Sequence, residues 1–269
     1  MGGPIPVVVA GATGRMGRET VRALAGRPDM RLVAAVGHLH HLGEDAGVLA
    51  GQGPCGVPVG GDATAALTRA APDGVLVDFT VGGAVRDTVL AALACGVACV
   101  VGTTGIPADH VAQMRAEAEA RGGSVLLVPN FALGAVLMMR FAREAARWFS
   151  WAEVLEMHHE GKRDAPSGTA RQTARAMVEA RGGPFQRPAH EEELVPGCRG
   201  ADLEGVRVHS VRMPGLMAHQ AVVLGGPGET LTLRHDTVSR ECYMSGVLLA
   251  ISRVRRLRGL ALGLDALMD

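Results

Sequence analysis

Lys162 is the only lysine among the 27 basic residues of this 269-residue chain; every other one is arginine. A lysine ammonium can have its pKa moved and its proton given up, whereas a guanidinium stays protonated. A lysine kept in an arginine chain suggests chemistry that a guanidinium cannot do. It lies in the run Glu156-Met-His158-His159-Glu-Gly-Lys162-Arg-Asp164-Ala-Pro166-Ser167-Gly168-Thr169-Ala170, which also supplies two imidazoles. A lone surface lysine or a satisfied histidine is unremarkable; together, next to a helix start, they point to a site. Residues 153–158 read as a strand that ends at the histidines, and residues 170–181 as a helix capped by Ser167 or Thr169. The free N–H groups of that helix start favour an anion, carboxylate or phosphate.

The elements that must position such a site begin with an apolar strand at residues 4–10. It runs into Gly11-Ala12-Thr13-Gly14-Arg15-Met16-Gly17 and a helix to Ala25. Gly-x-x-Gly-x-x-Gly between a first strand and a first helix is a variant of the dinucleotide fingerprint. Gly11 permits the tight turn, Gly14 lets the backbone approach a pyrophosphate, and Gly17 lets the helix pack on the strand. The second strand, 31–36, ends at Gly37-His38, where an NAD-preferring site usually carries Asp or Glu. With no acid there, a 2′-phosphate is not repelled, and His38 or Arg15 can contact it. This reading leans to NADPH or to dual use. After a glycine-rich loop (43–61), strands end at Phe79-Thr80, Gly102-Thr103-Thr104 and Pro129-Asn130-Phe131. Ligands of an open parallel sheet sit beyond the strands' carboxyl ends, so these three tips should line the nicotinamide side.

From residue 132 the texture changes. A Met-rich helix (132–148) presents Leu133, Leu137, Met138, Phe141 and Ala145 as a core face. After the central loop and its helix come a polar loop (187–202) and three strand-like runs, 205–213, 219–225 and 229–236. Strands in succession imply a mixed or antiparallel sheet. A helix at 246–257 is expected to return to the first domain. The predicted class is α/β, a Rossmann-type doubly wound parallel sheet with a second α+β domain. The boundaries are 1–130 plus 241–269 for dinucleotide binding, and 131–240 for substrate binding and oligomerisation.

Composition excludes several functions. The formal net charge is zero, so neither nucleic acid nor an anionic membrane is attracted globally. No apolar run reaches membrane-spanning length, and a cytoplasmic location is expected. Five cysteines show no disulfide framework or zinc spacing, and His38, His40 and His41 lack a partner cluster; no metal is expected.

Taken together, the residues resemble the 4-hydroxy-tetrahydrodipicolinate reductase (dihydrodipicolinate reductase) family of bacterial lysine and diaminopimelate synthesis. The likeness rests on the glycine loop, Val77-Asp-Phe-Thr80, Val101-Gly-Thr-Thr-Gly105 and Asn130-Phe131, and above all on the stretch from Glu156 to Ala170. His209-Ser-Val-Arg-Met-Pro-Gly215 and His235-Asp-x-x-x-Arg240 extend it, Arg240 joining the candidate cofactor contacts. The resemblance implies hydride transfer from NADPH or NADH to a small cyclic dicarboxylate, with His158 and Lys162 as proton donors. It implies His159, Ser167, Gly168 and Thr169 as carboxylate contacts, and a homotetramer through the second domain. The alternatives are a related NAD(P)-dependent dehydrogenase or imine reductase acting on another small dicarboxylate, and a nucleotide-binding redox sensor without turnover.

Overall fold

The computed structural model describes residues 3–268. In chain order the elements begin β1 (Ile5–Ala10), α1 (Arg15–Ala25), β2 (Met30–Val36), α2 (Ala46–Leu49), β3 (Val59–Gly60) and α3 (Ala63–Thr68). They continue β4 (Val75–Asp78), α4 (Val85–Ala94), β5 (Ala98–Val101), α5 (Ala108–Arg121), β6 (Ser124–Leu127), α6 (Leu133–Ala145) and β7 (Trp151–His158). The remainder are α7 (Gly168–Arg181), β8 (Ala201–Leu203), β9 (Val206–Arg212), β10 (Ala218–Gly226), β11 (Glu229–Thr237), α8 (Met244–Arg253) and β12 (Gly259–Leu262). They divide into two compact units. One comprises residues up to 132 together with those from 240 onward, and the other is Leu133–Ser239.

In the first unit seven parallel strands run in the order β12-β6-β5-β4-β1-β2-β3. β4, β5 and β6 are buried along their whole length, which is why they read as unbroken apolar runs instead of alternating ones. The chain leaves β1 toward β2 on one side and later returns to β4 on the other. The order therefore reverses at β1, where doubly wound sheets open a crevice at the strand ends. Register aligns Ala10, Asp78, Val101 and Leu127 in one row, so the residues just after them form a common rim.

The second unit is a mixed five-stranded sheet, β11-β10-β7-β9-β8, in which β7 and β9 are parallel and the other pairs antiparallel. One face carries Val154, Val208, Val222 and Leu224 under Ala142 and Ala146 of the α6 arm and Ala170, Ala174 and Met177 of α7. Small alanines on the helices let them lie close to the sheet, consistent with a core short of aromatics.

The expected fold class is what the structure shows. Two local readings differ, and two elements, α3 and β12, were not anticipated. The glycine-rich segment 43–61 is not a bare loop: Asp45 accepts from the N–H groups of Gly47, Val48, Cys55 and Gly56, caps α2 and folds the segment back to edge strand β3. α3 is capped in the same way by Asp62. β12 was not expected, because four residues after an arginine run show no period; it pairs with β6. Phe141 is 53% exposed instead of core, since α6 turns that side away from the sheet.

Candidate active site

β7 ends at His158, and its buried face alternates through Ala152, Val154 and Glu156. Glu156 is thereby placed in the core at 0% exposure, in register with Ser210 of β9 and Gln220 of β10. A bare carboxylate there would be untenable; this one is saturated with donors. Arg212 at the end of β9 forks onto both oxygens, Nη2 to Oε1 at 2.7 Å and Nη1 to Oε2 at 2.9 Å. The Ser167 N–H donates to Oε1 at 3.2 Å, and His158 Nδ1 lies 2.5 Å from Oε2. Burial alone would push the Glu156 carboxyl up, but the hydrogen bonds from His158 and Arg212 outweigh it and hold the group down to about 2.

Arg212 also reaches the loop. Its Nε donates to the Lys162 carbonyl at 3.3 Å and its Nη2 to the Asp164 carbonyl at 2.7 Å. Lys162 N–H closes a turn onto the His159 carbonyl at 3.1 Å, and Nζ donates to Asp164 at 2.8 Å. That contact holds the Asp164 carboxyl below its ordinary value. The Lys162 side chain is 23% exposed, so the ammonium is half-sheltered and reachable. His159 is exposed.

Ser167 caps α7: its hydroxyl accepts from Ala170 N–H at 3.2 Å. The residue is buried and its oxygen accepts this cap bond, which leaves the O–H itself able to donate. The groups at the open end are the Gly168 and Thr169 N–H, which helix geometry leaves without an intrahelical acceptor. A Cβ on Gly168 would meet nothing within 4 Å, so this end is clear for an anion.

In the first unit a groove is lined by Gly11, Gly14, Arg15, Met16, Gly17, Phe79, Thr80, Val81, Gly82, Gly102, Thr103 and Thr104. Its glycines are required. Gly11 has φ +76° and a Cβ there would lie 2.7 Å from the Phe79 carbonyl oxygen; one on Gly17 would lie 2.1 Å from the Gly11 oxygen. Gly14 caps α1 without any side chain, and the first turn of α1 carries no acid, leaving its N–H groups open to a phosphate. The cradle therefore fits a dinucleotide pyrophosphate. Asp78 ties two rim tips together: Oδ1 accepts from Thr80 N–H (2.8 Å), Thr80 Oγ1 (2.6 Å) and Thr103 Oγ1 (3.0 Å). A Cβ on Gly102 would meet the Phe79 ring at 2.3 Å and the Phe131 ring at 2.8 Å, so glycine there admits the edge-to-face pair Phe79–Phe131.

The remaining expected cofactor residues are not among those lining this groove. Ala12 is buried, and Thr13 Oγ1 accepts from His38 N–H at 3.3 Å. Gly37 is glycine for a packing reason: a Cβ would lie 2.4 Å from Thr13 Cγ2 and 2.9 Å from Val59 Cγ1, so this turn has no room for an acidic side chain. Pro129 is exposed, Asn130 Oδ1 accepts from Ala132 N–H at 2.9 Å, and Phe131 is buried behind Phe79. Arg240 opens a short 3-10 turn that packs against α1. Sequence reasoning passed over Glu156, Arg212, Asp164, Asp78, Val81 and Gly82. An acid inside or ending an apolar strand, as at Glu156 and Asp78, was the available signal.

Comparison with known proteins agrees along the whole chain. Residues 5–131 match the description "Dihydrodipicolinate reductase, N-terminus" and residues 134–268 "Dihydrodipicolinate reductase, C-terminus". The 4-hydroxy-tetrahydrodipicolinate reductase of Synechococcus elongatus is 47% identical over 100% of both chains. That of Moorella thermoacetica is 47% identical over 98% of each. A dihydrodipicolinate reductase from a Paenisporosarcina species, solved with dipicolinate bound, superposes with a TM-score of 0.87 at 37% identity, covering 98% of this chain and 99% of that one. An amine dehydrogenase from Mycobacterium smegmatis, at 16% identity and TM-score 0.69, shares the fold.

Proposed function

The chain belongs to the dihydrodipicolinate reductase family, and on that premise we infer that it reduces 4-hydroxy-tetrahydrodipicolinate to tetrahydrodipicolinate as an NAD(P)H-dependent oxidoreductase. The observation that carries the site reading is the convergence of His158, Lys162 and the open N–H groups of α7 around one loop, held by Glu156 and Arg212. We assign the first unit to dinucleotide binding and the second to substrate binding, in a pathway leading to lysine and diaminopimelate.

Loss of the 4-hydroxyl with a neighbouring ring hydrogen, as water, would leave a C=C bond conjugated with the substrate's C=N, and a dinucleotide held in the groove would supply hydride to the carbon that carried the hydroxyl. What this chain supplies is charge and a proton. Gly168 and Thr169 N–H, together with the exposed His159, hold the carboxylates of the cyclic dianion, as a helix start does for anions. The carbanion or enamine character left after hydride arrival needs a proton, and we assign its delivery to His158, hydrogen-bonded to Glu156, and Lys162, hydrogen-bonded to Asp164. Lys162 acts also as a fixed positive charge at the reacting centre.

For the nucleotide we propose use of both NADPH and NADH with NADPH favoured, because Gly37 leaves no carboxylate to repel a 2′-phosphate, His38 follows it in the turn and Arg15 lines the groove. Trp151, Leu155 and Val223, on the sheet face turned away from α6 and α7, line an open cleft with Arg187 and Arg207. We propose that this face forms a homotetramer, and that the enzyme works in the cytoplasm. The test of function is nicotinamide oxidation with freshly generated cyclic substrate beside acyclic oxo- and amino-dicarboxylates. Turnover confined to the cyclic compound is expected; turnover confined to the acyclic ones would replace this reading with a related dehydrogenase or imine reductase.

A further inference from the structure

Two groups assigned above to proton delivery hang from a single buried side chain. Glu156 accepts directly from His158 at one oxygen. Through Arg212 it fixes the carbonyls of Lys162 and Asp164, and through Ser167 N–H it fixes the start of α7. We propose that Glu156 is a positioning residue for the reaction: its carboxylate sets which nitrogen of His158 exchanges the proton, and its pair with Arg212 holds the loop that presents Lys162. This rests on the reading of His158 and Lys162 as proton-delivering groups.

The argument is one of hydrogen-bond capacity. An ionised carboxylate only accepts, and Glu156 is held at about 2, hence ionised throughout any working range. Nδ1 of His158 must then carry the hydrogen, in the neutral ring as in the cation. The proton that His158 gives or takes is therefore the one on Nε2. When it leaves, the N–H bond electrons stay on the ring, and the neutral Nδ1–H tautomer remains bonded to Glu156 without a change of partner. Preorganisation of this kind spares the reorientation that a free ring would need.

The charges around His158 can be counted. On its own strand there is Glu156, and on β9 its register partner Arg212. β10 places neutral Ala218 opposite it and neutral Gln220 two residues on, and β11 continues these rows with Thr237 and the titratable His235, while His219 and Asp236 belong to the alternate rows facing the other side. The following loop adds Lys162 and Asp164, already paired, and α7 begins with uncharged Ser167. Of these groups the Glu156 carboxylate is the one hydrogen-bonded to the ring, and the ring shares that carboxylate with the Arg212 cation. Replacing the carboxylate with an amide leaves Arg212 unopposed.

The experiment is a nitrogen-15 NMR titration of His158 in the NADPH-bound protein, assigned by loss of its signal in H158A, run beside kcat and KM for wild type, E156Q, E156D and R212K. In E156Q the His158 titration is expected to fall by at least one pH unit, a tenfold or greater loss of the cation at fixed pH. The high-pH limb of kcat should move down with it. E156D keeps the charge and should restore the titration, and it serves alone should E156Q not fold. R212K keeps a cation but loses the fork and the carbonyl contacts. It should leave the His158 titration near wild type while kcat falls. An unmoved titration and unmoved kcat in E156Q, with H158A and K162A inactive, would overturn the proposal. If H158A and K162A themselves retain turnover, the proton-delivery reading fails, whatever the titration shows.

Discussion

Glu156 and Arg212 lie 56 residues apart in sequence yet form the bidentate pair on which the loop hangs. Glu156 offered only the signal of an acid inside an apolar strand, which becomes exceptional once its side is known to be the buried one, and Arg212 offered none. Lys162 was legible for the opposite reason, since its type alone set it apart. For K162A, kcat/KM should drop roughly 10²- to 10³-fold, about 3–4 kcal/mol of lost stabilisation at the reacting centre. K162R separates the two roles of the lysine: a guanidinium restores the charge but not a transferable proton, so it should stay near the alanine level. Recovery to wild-type kcat in K162R would leave Lys162 as an electrostatic clamp only. Stability reports on Glu156 independently of turnover. Its carboxyl ordinarily titrates at 4.5 and is held at about 2 in the fold, so its contribution is complete above about pH 4.5 and is lost as pH falls toward 2. Melting temperature followed across that window should decline less steeply in E156Q than in wild type; parallel curves would deny the buried pair this role.

At the scale of elements, the two candidate sites use the same device, a glycine-bearing helix start. In α1 the cap is Gly14 with no side-chain bond, and in α7 the cap is Ser167 with Gly168 next to it. The strand-glycine-helix order carried both in the sequence. What it could not carry was close contact between distant turns, such as Thr13 against Gly37. A Cβ at position 37 would sit 2.4 Å from Thr13 Cγ2, so G37D should weaken binding of NADH and NADPH alike, measured by calorimetric titration. Tightened NADH binding in G37D would show that the turn has room for an acid after all. S167A removes the α7 cap and should cost about 1 kcal/mol of stability by chemical denaturation, with a further loss of substrate affinity as the first turn frays. Segments such as α2, held by Asp45, and β12, held by pairing with β6, were missed because four residues carry no period and their order comes from partners elsewhere.

For the whole molecule, the alternation of strands and helices up to residue 132, then strands in succession, was enough to give a parallel sheet and a mixed one. A return of residues 241–269 to the first domain was expected from the sequence, but the pairing of β12 with β6 was not visible in the local pattern. The proposed tetramer predicts a particle of four times the 27.9 kDa chain by light scattering. A charge placed in the cleft, as in V223D, should shift the particle to smaller species; a monomeric wild type would remove the tetramer and leave the chemistry intact. The central claim is that hydride from the nicotinamide reaches the cyclic dicarboxylate on this chain. The most direct test uses NADPH deuterated at the transferring position with freshly generated 4-hydroxy-tetrahydrodipicolinate, reading the product by mass spectrometry. One deuterium in tetrahydrodipicolinate is the expected result, and cofactor oxidation with unlabelled product, or none at all, would contradict it.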